Sequence, residues 1–386
     1  MEAPVLFETR QSQNGALLGI ATLNAPHLLN GLSLQMVDLL ATQLTAWAED
    51  PQIAVVILRG AGEKAFCAGG DLHGLYASMT ANTSGDPWAN DVAKTFFEHE
   101  YRLDYYIHHY PKPLLCWGHG IVMGGGVGLM MGASHRVVTE ASRVAMPEIG
   151  IGLFPDVGGS WLLSRLPGRL GLFLALTGAQ LNTSDALYAG LADYFVAQER
   201  YEDVLDGMLH SPWEVAAEDP SHPPRAMNDG ILTRLLQQFS QVPEEEGPLA
   251  RHTFLLNNAC SGNDLTEIAE EIGHLADNAD PWLAKAAQGF RNGAPGSARL
   301  SFLLQQRARM MSLADVFRME YVAALAAAAH GDFQEGIRAL LIDKDRTPRW
   351  NPDTLDAADN AWAEQFFIAP WPQQHDHPLH DLGVPQ

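Results

Sequence analysis

A chain of 386 residues can bury a large core, but its formal net charge of −22 argues against a nucleic-acid partner, which needs clustered Lys and Arg. No apolar run reaches the roughly 20 residues that span a bilayer, so no membrane partner is expected. Cys67, Cys116 and Cys260 lie far apart without a CxxC pair, which favours reduced, structural thiols over a zinc site or a disulfide framework. Residues 1–11 carry Glu2 and Glu8 and lack the basic and apolar regions of a signal peptide, so the expected compartment is the cytoplasm.

In chain order, short apolar strands alternate with amphipathic helices from Val5 to about Val196. Ser33 is an N-cap for a helix whose apolar face carries Met36, Val37, Leu40, Leu44 and Trp47. Residues 53–58 form a continuous apolar run, as in a strand buried on both faces. Further strands are expected at 113–117 and 136–139, and the repeated strand–loop–helix pattern indicates an α/β layered fold. Beyond residue 200 the Pro- and acid-rich stretches 211–225 and 241–248 read as loops, and 265–275, 298–311 and 313–330 as helices. This gives a core over 1–200, a helical region over 201–368 and a flexible tail over 369–386. The tail holds His375, His377 and His380, read as tail residues rather than metal ligands.

Two loops offer glycine backbone directly after a buried strand. One spans residues 63–71, Glu-Lys-Ala-Phe-Cys-Ala-Gly-Gly-Asp; the other spans 118–128 and contains Gly124-Gly125-Gly126 before an apolar helix. A helix N-terminus has unpaired N–H groups and a positive dipole end, which suit an oxyanion. The Gly-Lys-Ser/Thr of a phosphate-binding loop is missing, and Met123 stands where a dinucleotide fingerprint needs its third glycine. No separate cofactor is therefore expected. A third segment, 146–159, reads Met-Pro-Glu-Ile-Gly-Ile-Gly-Leu-Phe-Pro-Asp-Val-Gly-Gly.

The three segments in this order resemble the enoyl-CoA hydratase (crotonase) superfamily. The resemblance implies a spiral of ββα units, an acyl-CoA substrate and an oxyanion hole made by the N–H groups of Gly70 and Gly125. It further implies coenzyme contacts through the backbone around Lys64, Ala65, Ala68 and Asp71, with coenzyme A entering as part of the substrate. Gly128 occupies the position of one hydratase acid, Glu148 that of the other, and Asp156 a position usually held by glycine. With residues 167–178 and 335–350, that pattern is similar to the branch that hydrolyses 3-hydroxyisobutyryl-CoA in valine breakdown. Ala25 and His27 depart from the family by replacing cations near the coenzyme phosphates. Many superfamily members are trimers or hexamers, so a homo-oligomer is one expectation, and cover by the helical extension is the other.

Hydrolysis needs a nucleophile as well as an oxyanion hole. No Gly-x-Ser-x-Gly elbow is present, and Cys67 has no evident partner base. Glu148 remains, either attacking the thioester carbonyl or deprotonating a water that does so. Asp156 would orient the substrate hydroxyl or share a hydrogen-bonded network with Glu148. Two alternatives stay open: a hydratase or double-bond isomerase of the same superfamily, and an inactive relative serving as a scaffold.

Overall fold

The computed structural model describes residues 3–215 and 224–384, so part of the loop expected at 211–225 lies outside the described residues. Contacts cluster into two units. The first takes residues 1–70, 103–144 and 181–247, and the second 71–102, 145–180 and 248–386.

The first unit is built on a six-stranded sheet in the order β1-β2-β3-β5-β7-β9, with β1 (Val5–Gln11), β2 (Leu17–Leu23), β3 (Ile53–Gly60), β5 (Leu114–Gly118), β7 (His135–Val138) and β9 (Tyr194–Phe195). Only β1 and β2 are antiparallel. Edge strand β1 is mostly exposed, whereas β3 is buried at every position but Arg59, as its unbroken apolar run requires. A smaller sheet has the order β4-β6-β8, from Ala65–Cys67, Ile121–Met123 and Arg143–Ala145. Each of β3, β5 and β7 is thus followed by a short strand in the second sheet, and the two sheets keep the same order. This is the expected spiral of ββα units.

The helix Leu34–Glu49 starts as its sequence predicts: Ser33 Oγ accepts the Met36 N–H at 3.3 Å, and the five apolar positions named above are buried. The helices Tyr201–His210 and Pro224–Phe239 place Val204, Met208, Leu232 and Leu236 in one core with Ile20, Ile57, Leu115 and Trp117. The helices Tyr201–His210 and Pro224–Phe239, read as parts of a separate helical region, therefore pack in the core of the sheet unit. Their apolar stripe needs a partner, and the sheet face supplies it.

The second unit is mainly helical: Leu265–His274, Pro295–Ala308 and Leu313–Ala329 lie close to the expected positions, and Leu72–Ala81 and Pro281–Asn292 add to them. The helix expected from 298 starts three residues earlier, at Pro295, a residue suited to a first helical turn. The C-terminal residues correct the expectation of a flexible tail. Leu379 is fully buried, Arg102 makes two bonds to Asp381 at 2.9 and 3.0 Å, and Arg318 donates to the Leu379 carbonyl at 3.0 Å. The His377 ring bonds the Arg318 carbonyl at 3.0 Å and packs on Trp371 at 4.8 Å. A proline-rich segment without regular structure is held because its carbonyls and Asp381 meet two arginines.

Candidate active site

The three residues expected to touch the reacting carbonyl sit at equivalent places in the chain. Gly70 follows β4 by three residues, Gly125 follows β6 by two and Glu148 follows β8 by three.

In the first unit the two glycine loops are neighbours. β4 and β6 pair in parallel, and Gly31 and Leu32 meet the first loop, with Leu32 N–H donating to the Gly69 carbonyl at 2.8 Å. Gly125 is the first residue of the helix Gly125–Met131, so its N–H has no partner within that helix. Gly126 shows why a larger residue is excluded: a Cβ there would lie 2.3 Å from the Cys67 carbonyl oxygen. The short helix can approach β4 only because that atom is absent.

Beside the first loop runs a groove of about 420 Å³ lined by Pro26, His27, Leu29, Asn30, Lys64 and Ala65. Its far wall is tied by hydrogen bonds. Leu29 and Asn30 both have left-handed backbone, and buried Asn30 donates to the Ala61 and Ala65 carbonyls at 2.9 Å while accepting the Ala25 N–H at 3.0 Å. Lys64 is exposed and Ala65 buried in β4, while the Ala68 N–H is taken by the Leu29 carbonyl at 3.1 Å. Asp71 N-caps the helix Leu72–Ala81 by accepting the Gly74 N–H at 3.1 Å. Cys67 is fully buried, with its thiol directed to the Gly69 carbonyl. His119 is pinned by the Gly62 carbonyl and His135 by Thr233, as expected of structural histidines.

The second unit holds the carboxylates. Glu148 opens the turn Glu148–Ile151 and is buried, and its Oε2 has no hydrogen-bond partner among the described residues. That turn is clamped by close backbone approaches. A Cβ on Gly336 would lie 2.3 Å from the Ile151 carbonyl, and one on Gly152 would lie 2.2 Å from the Asp332 oxygen. The sequence stretch 335–350 thus contributes through Gly336, which seats the helix Asp332–Ile337 against the turn that carries Glu148.

Asp156 is also buried, and Tyr101 donates to its Oδ2 at 2.7 Å. The Tyr101 ring lies between Phe97 and Phe317, at 5.8 and 5.5 Å. Two further acids join the group: Glu100 from the helix Asp91–His108 and Glu320 from Leu313–Ala329. Burial first, and then the charge of Asp156, hold Glu148 and Glu100 well above the usual carboxylate range. The same causes push Glu320 to about 8, and burial pushes Asp156 to about 6. Raised proton affinity in a cluster of buried carboxylates is the condition that acid–base work uses.

Glu100, Tyr101 and Glu320 were not singled out from the sequence. A signal existed in the helical periodicity. Glu100 continues the buried stripe of Ala93, Phe96 and Phe97, and Glu320 that of Val316 and Phe317. An acid inside an apolar stripe is either satisfied or functional.

The Enoyl-CoA hydratase/isomerase family description matches residues 18–367. A mitochondrial 3-hydroxyisobutyryl-CoA hydrolase of Gallus gallus is 38% identical over 357 residues, covering 92% of this chain and 87% of that protein. The protein of the same name from Danio rerio is 38% identical over 349 residues, covering 90% and 86%. A crystal structure titled carnitinyl-CoA dehydratase, from Mycobacterium thermoresistibile, superposes with a TM-score of 0.79 at 34% identity, covering 94% of this chain and 96% of that one. The curated relatives are mitochondrial by name, which overturns the cytoplasmic expectation drawn from residues 1–11.

Proposed function

Because the chain belongs to the enoyl-CoA hydratase/isomerase family, we propose that it hydrolyses the thioester of a short branched 3-hydroxyacyl-CoA, 3-hydroxyisobutyryl-CoA above all, releasing the free hydroxy acid and coenzyme A. Such a step belongs to valine breakdown. The observation that carries the reading is Glu148, a buried carboxylate with one oxygen unbonded among the described residues, in a turn fixed by glycine contacts on a neighbouring helix.

The amides of Gly70 and Gly125 stabilise the tetrahedral oxyanion, each such donor being worth about 10²–10³ in rate. Glu148 drives attack at the carbonyl carbon, directly or by taking a proton from water, and the C–S bond breaks as the thiol leaves. Asp156, oriented by Tyr101, accepts the hydrogen bond of the substrate 3-hydroxyl; an ionised carboxylate can only accept. The groove beside Lys64 and His27 takes the coenzyme. Lys64 is its lasting cation, which suits a coenzyme held largely by backbone groups.

A spectrophotometric thiol-release assay over a panel of acyl-CoA thioesters tests this. The expected result is fastest release from 3-hydroxyisobutyryl-CoA, and release that does not favour 3-hydroxyacyl groups would remove the reading. One observation supports a second reading, water addition or elimination. Gly128 lacks the acid that hydratases place there, yet Glu100 supplies another carboxylate, whose proton affinity is raised by burial first, then by the charges of Asp156 and Glu148.

A further inference from the structure

Glu320 has no place in the reaction as written above, yet it is fully buried and both its oxygens are engaged. Oε2 accepts the Gly158 N–H at 2.7 Å and Oε1 the Ser160 N–H at 2.9 Å. These amides flank the turn that reverses the chain directly after Asp156. Val157 sits there at φ 51° and Gly158 at φ 81°, while the Gly159 N–H closes on the Asp156 carbonyl at 2.6 Å. Left-handed backbone is unfavourable for a β-branched residue and persists only where surrounding contacts over-determine it.

We propose that Glu320 is a positioning residue for Asp156: by bridging the Gly158 and Ser160 amides it holds the strained turn that aims the Asp156 carboxylate at the substrate hydroxyl. The proposal rests on the role given to Asp156 above. The same helix reaches Asp156 by a second route. Phe317, one turn before Glu320, packs on the Tyr101 ring, and Tyr101 bonds Asp156. Two amide donors directed at one side chain call for two acceptor oxygens. Glutamine offers one, and its NH₂ would face the remaining N–H. Burying a second carboxylate within reach of the Asp156 charge is unfavourable for stability alone, and the proton affinity of Glu320 rises accordingly. A residue needed only for packing would avoid that opposition.

The experiment is a double-mutant cycle with a selectivity readout. Wild type, E320Q, D156N and the double variant are assayed for kcat and KM on 3-hydroxyisobutyryl-CoA and isobutyryl-CoA, with folding checked by circular dichroism. For E320Q the expected loss in kcat is about 10²-fold, the scale of an ångström-sized misplacement, with KM little changed and the preference for the hydroxylated thioester reduced. The double variant should be no slower than D156N within about threefold, because both changes remove one function. E320D, which keeps both acceptors on a shorter stem, should fall between E320Q and wild type. If E320Q does not fold, E320D is read alone against the same selectivity. Unchanged selectivity in a folded variant, or losses that multiply in the double variant, would overturn the proposal. Should wild type turn over a different acyl-CoA, the cycle is run on that thioester and its analogue without the polar group. Failure of the substrate reading then stays separate from failure of the Glu320 assignment.

Discussion

The two units show two ways of building chemistry. In the first, the candidate groups are backbone amides, and the sequence writes them as missing side chains: Gly70, Gly125 and the close-packed Gly126. In the second, they are carboxylates gathered from segments far apart in the chain, at residues 100, 148, 156 and 320. An amide needs only a fixed turn to point correctly and carries no net charge, so burying it is inexpensive once it is paired with ligand. A buried carboxylate opposes folding and must be held by several contacts at once. The backbone half is therefore local in sequence and the carboxylate half is not.

The largest effect expected from breaking this contrast is on the carboxylate side. Glu148→Gln should lower kcat by about 10³–10⁴-fold with substrate affinity nearly unchanged, measured by steady-state kinetics and equilibrium binding. Single-turnover hydrolysis in ¹⁸O-water then separates the two routes: label entering the Glu148 carboxylate marks direct attack, and its absence marks attack by water. On the backbone side, Gly126→Ala should cost about 10² in kcat, because its methyl group forces the start of the helix Gly125–Met131 away from the Cys67 carbonyl and displaces the Gly125 amide. A Gly126→Ala enzyme of full activity would separate that helix from the oxyanion.

How much was legible follows from the same contrast. The alternating strands and helices and the helix capped by Ser33 are local patterns and appear where the periodicity puts them, while the spiral was implied only by the family resemblance that the glycine loops and residues 146–159 carry. Glu148 and Asp156 were readable because they share one short segment, 146–159, with recognisable neighbours. Glu100, Tyr101 and Glu320 were missed because their meaning depends on which helices converge, and a single acid in an apolar stripe does not announce its partners. The C-terminal residues misled in the opposite direction. Proline and histidine suggested looseness, while the contacts that hold 371–382 come from Arg102 and Arg318, distant in sequence. That the helices Tyr201–His210 and Pro224–Phe239 share a core with the sheet was not legible, because periodicity reports that a face is apolar, not which partner covers it.

Specificity sharpens the contrast further. Asp156→Gly should collapse the preference for 3-hydroxyisobutyryl-CoA over isobutyryl-CoA, expected at about 10²–10³ in wild type, by slowing the hydroxylated substrate. Measuring kcat/KM for both thioesters decides it, and an unchanged ratio moves hydroxyl recognition elsewhere.

The smallest effect is on stability. In the folded protein Asp156 titrates at about 6, above its ordinary 3.8, so the folded state binds that proton more tightly than the unfolded chain. Stability from this group is present below about pH 4 and is lost as pH rises through 6. Asp156→Asn should therefore gain Tm relative to wild type between pH 4 and 6, by a few degrees, and hold that gain above. Thermal melts across this range check it, and a gain that shrinks with rising pH would reverse the sign argued here.

The central claim is that this carboxylate cluster cleaves a thioester rather than moving water across a double bond. It is tested most directly by giving one preparation of the wild-type protein 3-hydroxyisobutyryl-CoA and crotonyl-CoA in parallel, following thiol release from the first and loss of enoyl absorbance in the second. Thiol release faster by at least about 10² is the predicted result, since the Gly128 position supplies no acid for the addition. Hydration of crotonyl-CoA at the higher rate would contradict the account and make Glu100 and Glu148 the acid pair of a hydratase.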